Sequence, residues 1–134
     1  MIAVDANVLA YLHLSSEFSQ LAAKAYKKDP HSTAPMLWQS ERRNILAGYL
    51  RRGLLTLEMA EHTMQYAAAM MDREEVVVPA TAILRLVVAS ACSAYDCEYV
   101  ALTQQFQIHL LTMDKRILAE FPETAERLDV FVSA

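Results

Sequence analysis

Short strand-like blocks recur along this chain with helical-period segments between them, and that alternation limits the possible folds more than any other feature. Ile2-Ala3-Val4, Val76-Val77-Val78, Ile108–Thr112 and Val130–Val132 read as strands, with a weaker one at Thr33-Ala34. Buried strands joined by helical crossovers predict a parallel sheet covered on both faces. The expected fold is therefore α/β in three layers, α/β/α, around a central parallel sheet of four or five strands.

The intervening segments carry helix signals. A helix is expected from Asn7 to Leu12, and another from Glu17 to Lys28, closed by Asp29-Pro30. Pro35 suits the first turn of a helix running from Leu37 to Arg52, with Gly53 placed to stop it. Thr56 can cap the next helix, whose apolar positions Leu57, Ala60, Met64, Ala67 and Met71 recur at helical spacing. Further helices are predicted over Ala80–Ala91 and Ala94–Phe106, with a short one from Lys115. With no internal repeat, low-complexity stretch or long linker, residues 1–134 are expected to form a single domain.

The apolar share is 54% and the mean hydropathy +0.16, but charges interrupt every apolar block well before membrane-spanning length. The start, Met1-Ile2-Ala3-Val4-Asp5, has no basic region of the signal-peptide kind, so a cytoplasmic protein with no membrane association is expected. Some of the apolar surface is expected to meet another chain. Cys92 and Cys97 form neither a disulfide framework nor a zinc pattern. A net charge of -4 excludes a broad basic field for nucleic acid, though not an enzyme whose bound cations supply positive charge. His13, His31, His62 and His109 show no metal-ligand spacing. With only Gly48 and Gly53, no phosphate-cradling loop exists, and no Gly-x-Ser-x-Gly elbow marks a hydrolase triad.

Four acids remain. Asp5 ends the first strand, Asp114 follows Ile108–Thr112, Asp96 lies in the first turn of its helix, and Glu41 lies on the helix after Pro35. Each has an ordinary explanation: Asp5 and Asp114 as helix N-caps, Asp96 in a capping box with Ser93, Glu41 as a solvated helix residue. Together they point to chemistry, because functional groups of an open parallel sheet gather at the carboxyl ends of its strands. Acids crowded into a partly apolar cleft repel one another and lose hydration, a conflict that a divalent cation relieves. A set made only of hard carboxylate oxygens favours Mg²⁺ or Mn²⁺ over zinc.

Ile2-Ala3-Val4-Asp5-Ala6-Asn7-Val8-Leu9 resembles the opening motif of PIN-domain nucleases, an apolar strand followed by Asp-x-Asn/Ser. Trp38-Gln39-Ser40-Glu41-Arg42-Arg43-Asn44 resembles their second motif, a helical Glu with Asn three positions on. Ala94-Tyr95-Asp96-Cys97-Glu98-Tyr99-Val100-Ala101-Leu102 resembles the third and is the most specific of the four. Leu110-Leu111-Thr112-Met113-Asp114-Lys115-Arg116 resembles the fourth. The motifs stand in the family's order and span nearly the whole chain, whose compact length is similar to that of VapC toxins of toxin–antitoxin systems.

The resemblance implies a PIN-like domain that cleaves RNA endonucleolytically with metal-activated water. Asp5 and Asp96 would be the principal ligands of Mg²⁺ (or Mn²⁺). Asp114 would complete the ion's shell, and Glu41 would bind a second ion or orient the attacking water. Thr112 is a candidate for holding a metal-bound water or a phosphate oxygen, and Asn7 for orienting Asp5. Lys115 and Arg116 are expected near RNA phosphate, whereas Arg42 and Arg43, beside Glu41, are expected on a solvated helix face. The resemblance also implies a small antitoxin partner and a homodimer. Two rival readings are a PIN-like interaction module without activity and a phosphoacceptor signalling domain. The latter requires an acceptor Asp at the end of its third strand.

Overall fold

In the computed structural model, which describes residues 1–134, strand β1 (Ile2–Val4) occupies the centre of a five-stranded sheet. It pairs on one side with β2 (Ser32–Pro35) and on the other with β4 (Leu110–Leu111). The edges are β3 (Glu75–Val76), beside β2, and β5 (Ala125–Glu126), beside β4. The order is β3-β2-β1-β4-β5 and every pairing is parallel. All residues of β1, β2 and β4 are buried. Because successive side chains of a strand point to opposite faces, helices must cover both sides, and the layers are α/β/α.

Eight helices provide that cover and the crossovers: α1 (Ala6–His13), α2 (Ser19–Lys28), α3 (Leu37–Arg51), α4 (Leu57–Met70), α5 (Ala80–Ala89), α6 (Ala94–Phe106), α7 (Lys115–Glu120) and α8 (Leu128–Ser133). Helix α6 lies against β1, β2 and β4, and its segment from Tyr99 to Thr103 is buried throughout. Helix α1 packs on α2 and α3, while α2 carries α8 on its other side. The helix from Leu37 stops as expected. Gly53 adopts φ +71°, its N–H reaches the carbonyl of Leu50 at 3.1 Å, and the N–H of Leu54 reaches that of Tyr49 at 3.0 Å. Thr56 caps α4 by accepting the N–H of Met59 at 3.1 Å. No single helix is long and apolar enough to cross a membrane.

The last expected strand, Val130–Val132, is part of helix α8. Its β-branched residues suggested extension, yet Leu128, Phe131 and Val132 recur at helical spacing and all meet the core, while Ala125–Glu126 supplies the edge strand. Val76-Val77-Val78 pairs only as far as Val76; Val77 is 78% exposed beyond the edge, ahead of Pro79. Pro35 closes β2 opposite Val76 instead of opening the following helix. Helix α2 begins at Ser19 rather than Glu17, because the Ser16 and Ser19 hydroxyls build a turn there.

Candidate active site

A strand that ends in a parallel sheet leaves its next residue at the mouth of the crevice above the carboxyl edge, where a helix begins. Asp5 stands in this position after β1, and Asp114 stands two residues beyond Thr112 after β4. Both cap the helix that follows: Asp5 Oδ1 accepts the N–H of Val8 at 2.8 Å, and Asp114 Oδ1 accepts that of Ile117 at 2.9 Å. Capping and clustering coexist in this fold, because the junctions that need caps are the ones that meet at the sheet edge. Asp96 lies in the first turn of α6, where Ser93 caps the helix and accepts the Asp96 N–H at 3.1 Å.

Asp5 is the most perturbed of the acids. Its residue is buried and its carboxyl is pushed up to about 6, first by loss of hydration and further by the charges of Glu41 and Asp114; hydrogen bonds from Thr112 and Val8 oppose the rise. Glu41 is raised by burial and by the charges of Asp96 and Glu98, against a hydrogen bond from Tyr99. Asp96 is raised by burial and by Asp114, with Ser93 and Arg116 acting the other way. Thus Asp5, Glu41 and Asp96 each feel the charge of at least one other of the four predicted acids.

Glu98 is a fifth acid here, raised by its own burial and acting on Glu41. Tyr99 donates its hydroxyl to Glu41 Oε1 at 2.6 Å and is itself only 2% exposed. Both fall within the Ala94–Leu102 segment, but the sequence gives neither a role at the site, although Tyr99 lies one helical turn beyond Asp96, a spacing that puts both on one face of α6. Beside Glu41 opens a cleft of about 560 Å³, bordered by Asn7, Ser40, Asn44 and Tyr95. The Tyr95 ring is 65% exposed.

Several supporting expectations change. Thr112 is 0% exposed, so it cannot hold a water or a phosphate oxygen at a surface. Its hydroxyl donates to Asp5 Oδ2, and its oxygen accepts the N–H of Asp114 at 3.0 Å. Asn7 is exposed and lines the cleft; the hydrogen bonds to Asp5 come from Val8 and Thr112 instead. Lys115 and Arg116 are exposed beside the acids, and Arg116 Nη1 reaches the carbonyl of Ala91 at 3.4 Å. Arg42 faces the interior, whereas Arg43 is exposed and donates to Ser40 at 3.1 Å.

No three acid, histidine or cysteine side chains converge closely enough to hold one metal ion among themselves. The donors are nevertheless of the type that suits hydrated magnesium, which keeps several waters and needs only one or two carboxylates together with phosphate oxygens. Asp114 Oδ2 and Glu41 Oε2 accept no hydrogen bond from the protein and are free to act as such donors. A buried Asp5 crowded by like charges likewise fits a nearby cation.

The chain is similar to Ribonuclease VapC3 of Pyrobaculum aerophilum. The two are 29% identical over 127 residues, a match that covers 90% of this chain and 95% of the relative. The crystal structure of PAE2754, also from Pyrobaculum aerophilum, superposes with a TM-score of 0.78 at 20% identity, covering 98% of this chain and 93% of that one. The structural likeness establishes the fold. No family model matches the chain.

Proposed function

We propose that this protein is a metal-dependent endoribonuclease of the PIN kind and the toxin of a toxin–antitoxin pair, with residues 1–134 forming one nuclease domain. The observation that carries the reading is Asp5, buried at the carboxyl end of the central strand, pushed up to about 6 and coupled to Glu41 and Asp114. Similarity to a protein named as a ribonuclease supports RNA as the substrate.

Asp5 and Asp96 are the principal ligands in this proposal, with Asp114 and Glu41 completing the site. Bound Mg²⁺ or Mn²⁺ supplies a nucleophilic water at neutral pH and neutralises charge building on the phosphate. The chain's own residues do the rest. Thr112 holds Asp5 and Asp114 in register, and Tyr99 fixes Glu41 so that its second oxygen is left for the attacking water. The exposed Tyr95 ring offers a stacking surface for a base, and Asn7 and Asn44 offer hydrogen bonds along the same cleft. Lys115 and Arg116 stand where a phosphate would approach the acids, and Arg116 already offsets the charge of Asp96.

The test is cleavage of RNA with Mg²⁺ or Mn²⁺, compared with EDTA and with Asp5→Asn. Activity that survives either change would overturn the assignment. As a toxin, the chain is expected to work in the cytoplasm as a homodimer and to be neutralised by a small antitoxin. Expression alone should arrest growth, and Asp96→Asn should relieve the arrest. Harmless expression of folded wild type would remove the toxin role while leaving the cleavage assay to decide the chemistry.

The absence of any three converging ligands favours, as a second reading, a nuclease-like module that only binds partners. Retention of RNA binding without cleavage would select it. The phosphoacceptor reading loses its footing, since β3 is an edge strand followed by Val77-Val78-Pro79, with no acid to phosphorylate.

A further inference from the structure

Every buried side-chain polar atom without a hydrogen-bond partner belongs to one of three residues. They are His13 Nδ1, at the end of α1, and Trp38 Nε1, Arg42 Nε and Arg42 Nη1, one turn apart on the inner face of α3. Arg42 is 0% exposed. Its one hydrogen bond runs from Nη2 to the carbonyl oxygen of Thr63, at 3.2 Å, and no carboxylate lies within ion-pairing distance. A buried guanidinium with no counter-ion is costly, and burial lowers this one only to about 10, leaving it charged at neutral pH. The positive charge also reaches His13, which burial and Arg42 together hold down to about 4 and therefore neutral.

Thr63 and His13 both belong to the wall of a cleft of about 770 Å³ between α1, α2 and α4, a region separate from the acids. Leu12, Tyr66 and Met70 give that cleft apolar surface, and the His13 ring meets Tyr66 edge-on at 4.9 Å. We propose that this corner binds a small organic acid, whose apolar body lies against Leu12, Tyr66 and Met70 and whose carboxylate takes the unpaired N–H groups of Arg42. One buried cation without a counter-ion matches the single charge of a carboxylate, and the exposed His62 is the other histidine of the cleft wall. Arg42 has no surface of its own and is not part of the cleft wall, which it meets through the Thr63 carbonyl, so part of that wall must move aside on binding; Tyr66, 66% exposed, is lightly held. The proposal stands independently of the nuclease reading.

Trp38 is the only tryptophan, and its place one turn from Arg42 makes its fluorescence a direct report of the site. The full chain is titrated at neutral pH with benzoate, with benzamide as the uncharged shape control and with inorganic phosphate. A saturable change with benzoate is expected, at least ten-fold weaker with either control and lost in Arg42→Met. Ala69→Phe, at an exposed residue of the cleft, should also abolish it without disturbing the interior, so a folding defect in Arg42→Met leaves the test intact. No saturable response to benzoate, an equal response to benzamide, or a response that persists in Ala69→Phe would overturn the proposal and assign the unpaired donors to internal water.

Discussion

The Thr112 hydroxyl donates to Asp5 across 107 positions of sequence while its oxygen receives the backbone N–H of Asp114, so one buried threonine aligns two acids from the opposite ends of the chain. Replacing it with the isosteric valine leaves a buried carboxylate and a backbone N–H each short of a partner. Thr112→Val should therefore cost about 2–3 kcal/mol in urea unfolding and lower RNA cleavage at least ten-fold. Thr112→Ser, which keeps the hydroxyl, should recover most of the activity. Loss of activity in Thr112→Ser with none in Thr112→Val would attribute the effect to packing of the methyl group instead.

Tyr99 restrains Glu41 through a single 2.6 Å hydrogen bond. Tyr99→Phe keeps the ring in its buried place and frees the carboxylate to adopt other rotamers. Stability should fall by about 1–2 kcal/mol. Cleavage should lose roughly ten-fold, mainly in kcat and with KM little changed, since the ring and the cleft are kept. A variant that matches wild type in both respects would show that Glu41 needs no such restraint.

Asp5 lowers the stability of the folded chain at neutral pH. Its carboxyl titrates near 6 when folded against 3.8 when free, so the folded state holds the proton more tightly. Its contribution is fully present below about 4 and is lost as pH rises through about 6, a swing of roughly 3 kcal/mol at most. His13 has the opposite sign: held down to about 4, it contributes above 6.5 and that contribution is lost as pH falls toward 4. The difference between wild type and Asp5→Asn cancels the histidine. Asp5→Asn should be inactive, more stable at pH 7, and flatter between pH 4 and 6. Denaturation curves for the two proteins across that range check this, and parallel pH profiles would show that the acid is not perturbed.

Divalent ions should stabilise the chain by binding its folded form alone. At about 100 times the dissociation constant, Mg²⁺ or Mn²⁺ should add roughly 2.7 kcal/mol, or about 5–10 °C in Tm. Asp5→Asn and Asp96→Asn should lose most of that shift. A rise no larger than NaCl gives at the same ionic strength would remove the ion from the site.

The parallel sheet is legible in the sequence because β1 and β4 are buried on both faces and wholly apolar, whereas β2, with Ser32 and Thr33 buried in it, gives only a weak signal. The tail is opaque in the sequence because Val130–Val132 taken alone shows β-branching, and the helical set emerges only when Leu128 is included. Asp5 and Asp114 are marked in the sequence by strand ends, Asp96 by the first turn of its helix and Glu41 by the helix after Pro35. Their restraints were not: Tyr99 reads as one more aromatic in an apolar helix, and only the fold brings its hydroxyl to α3. Arg42 shows the converse limit. Sequence places it beside Glu41 on a solvated helix face, but adjacent positions on a helix face different ways, and this one turns to the interior.

The central position of β1 has a consequence for biosynthesis. Strand β1 can pair early with β2, but its other neighbour, β4, and Thr112 emerge more than a hundred residues later. Until then Asp5 lacks the hydroxyl that steadies it, and Asp114 has not been made. The two acids that Thr112 aligns thus cannot be brought together until β4 has joined β1, however early β1 and β2 pair.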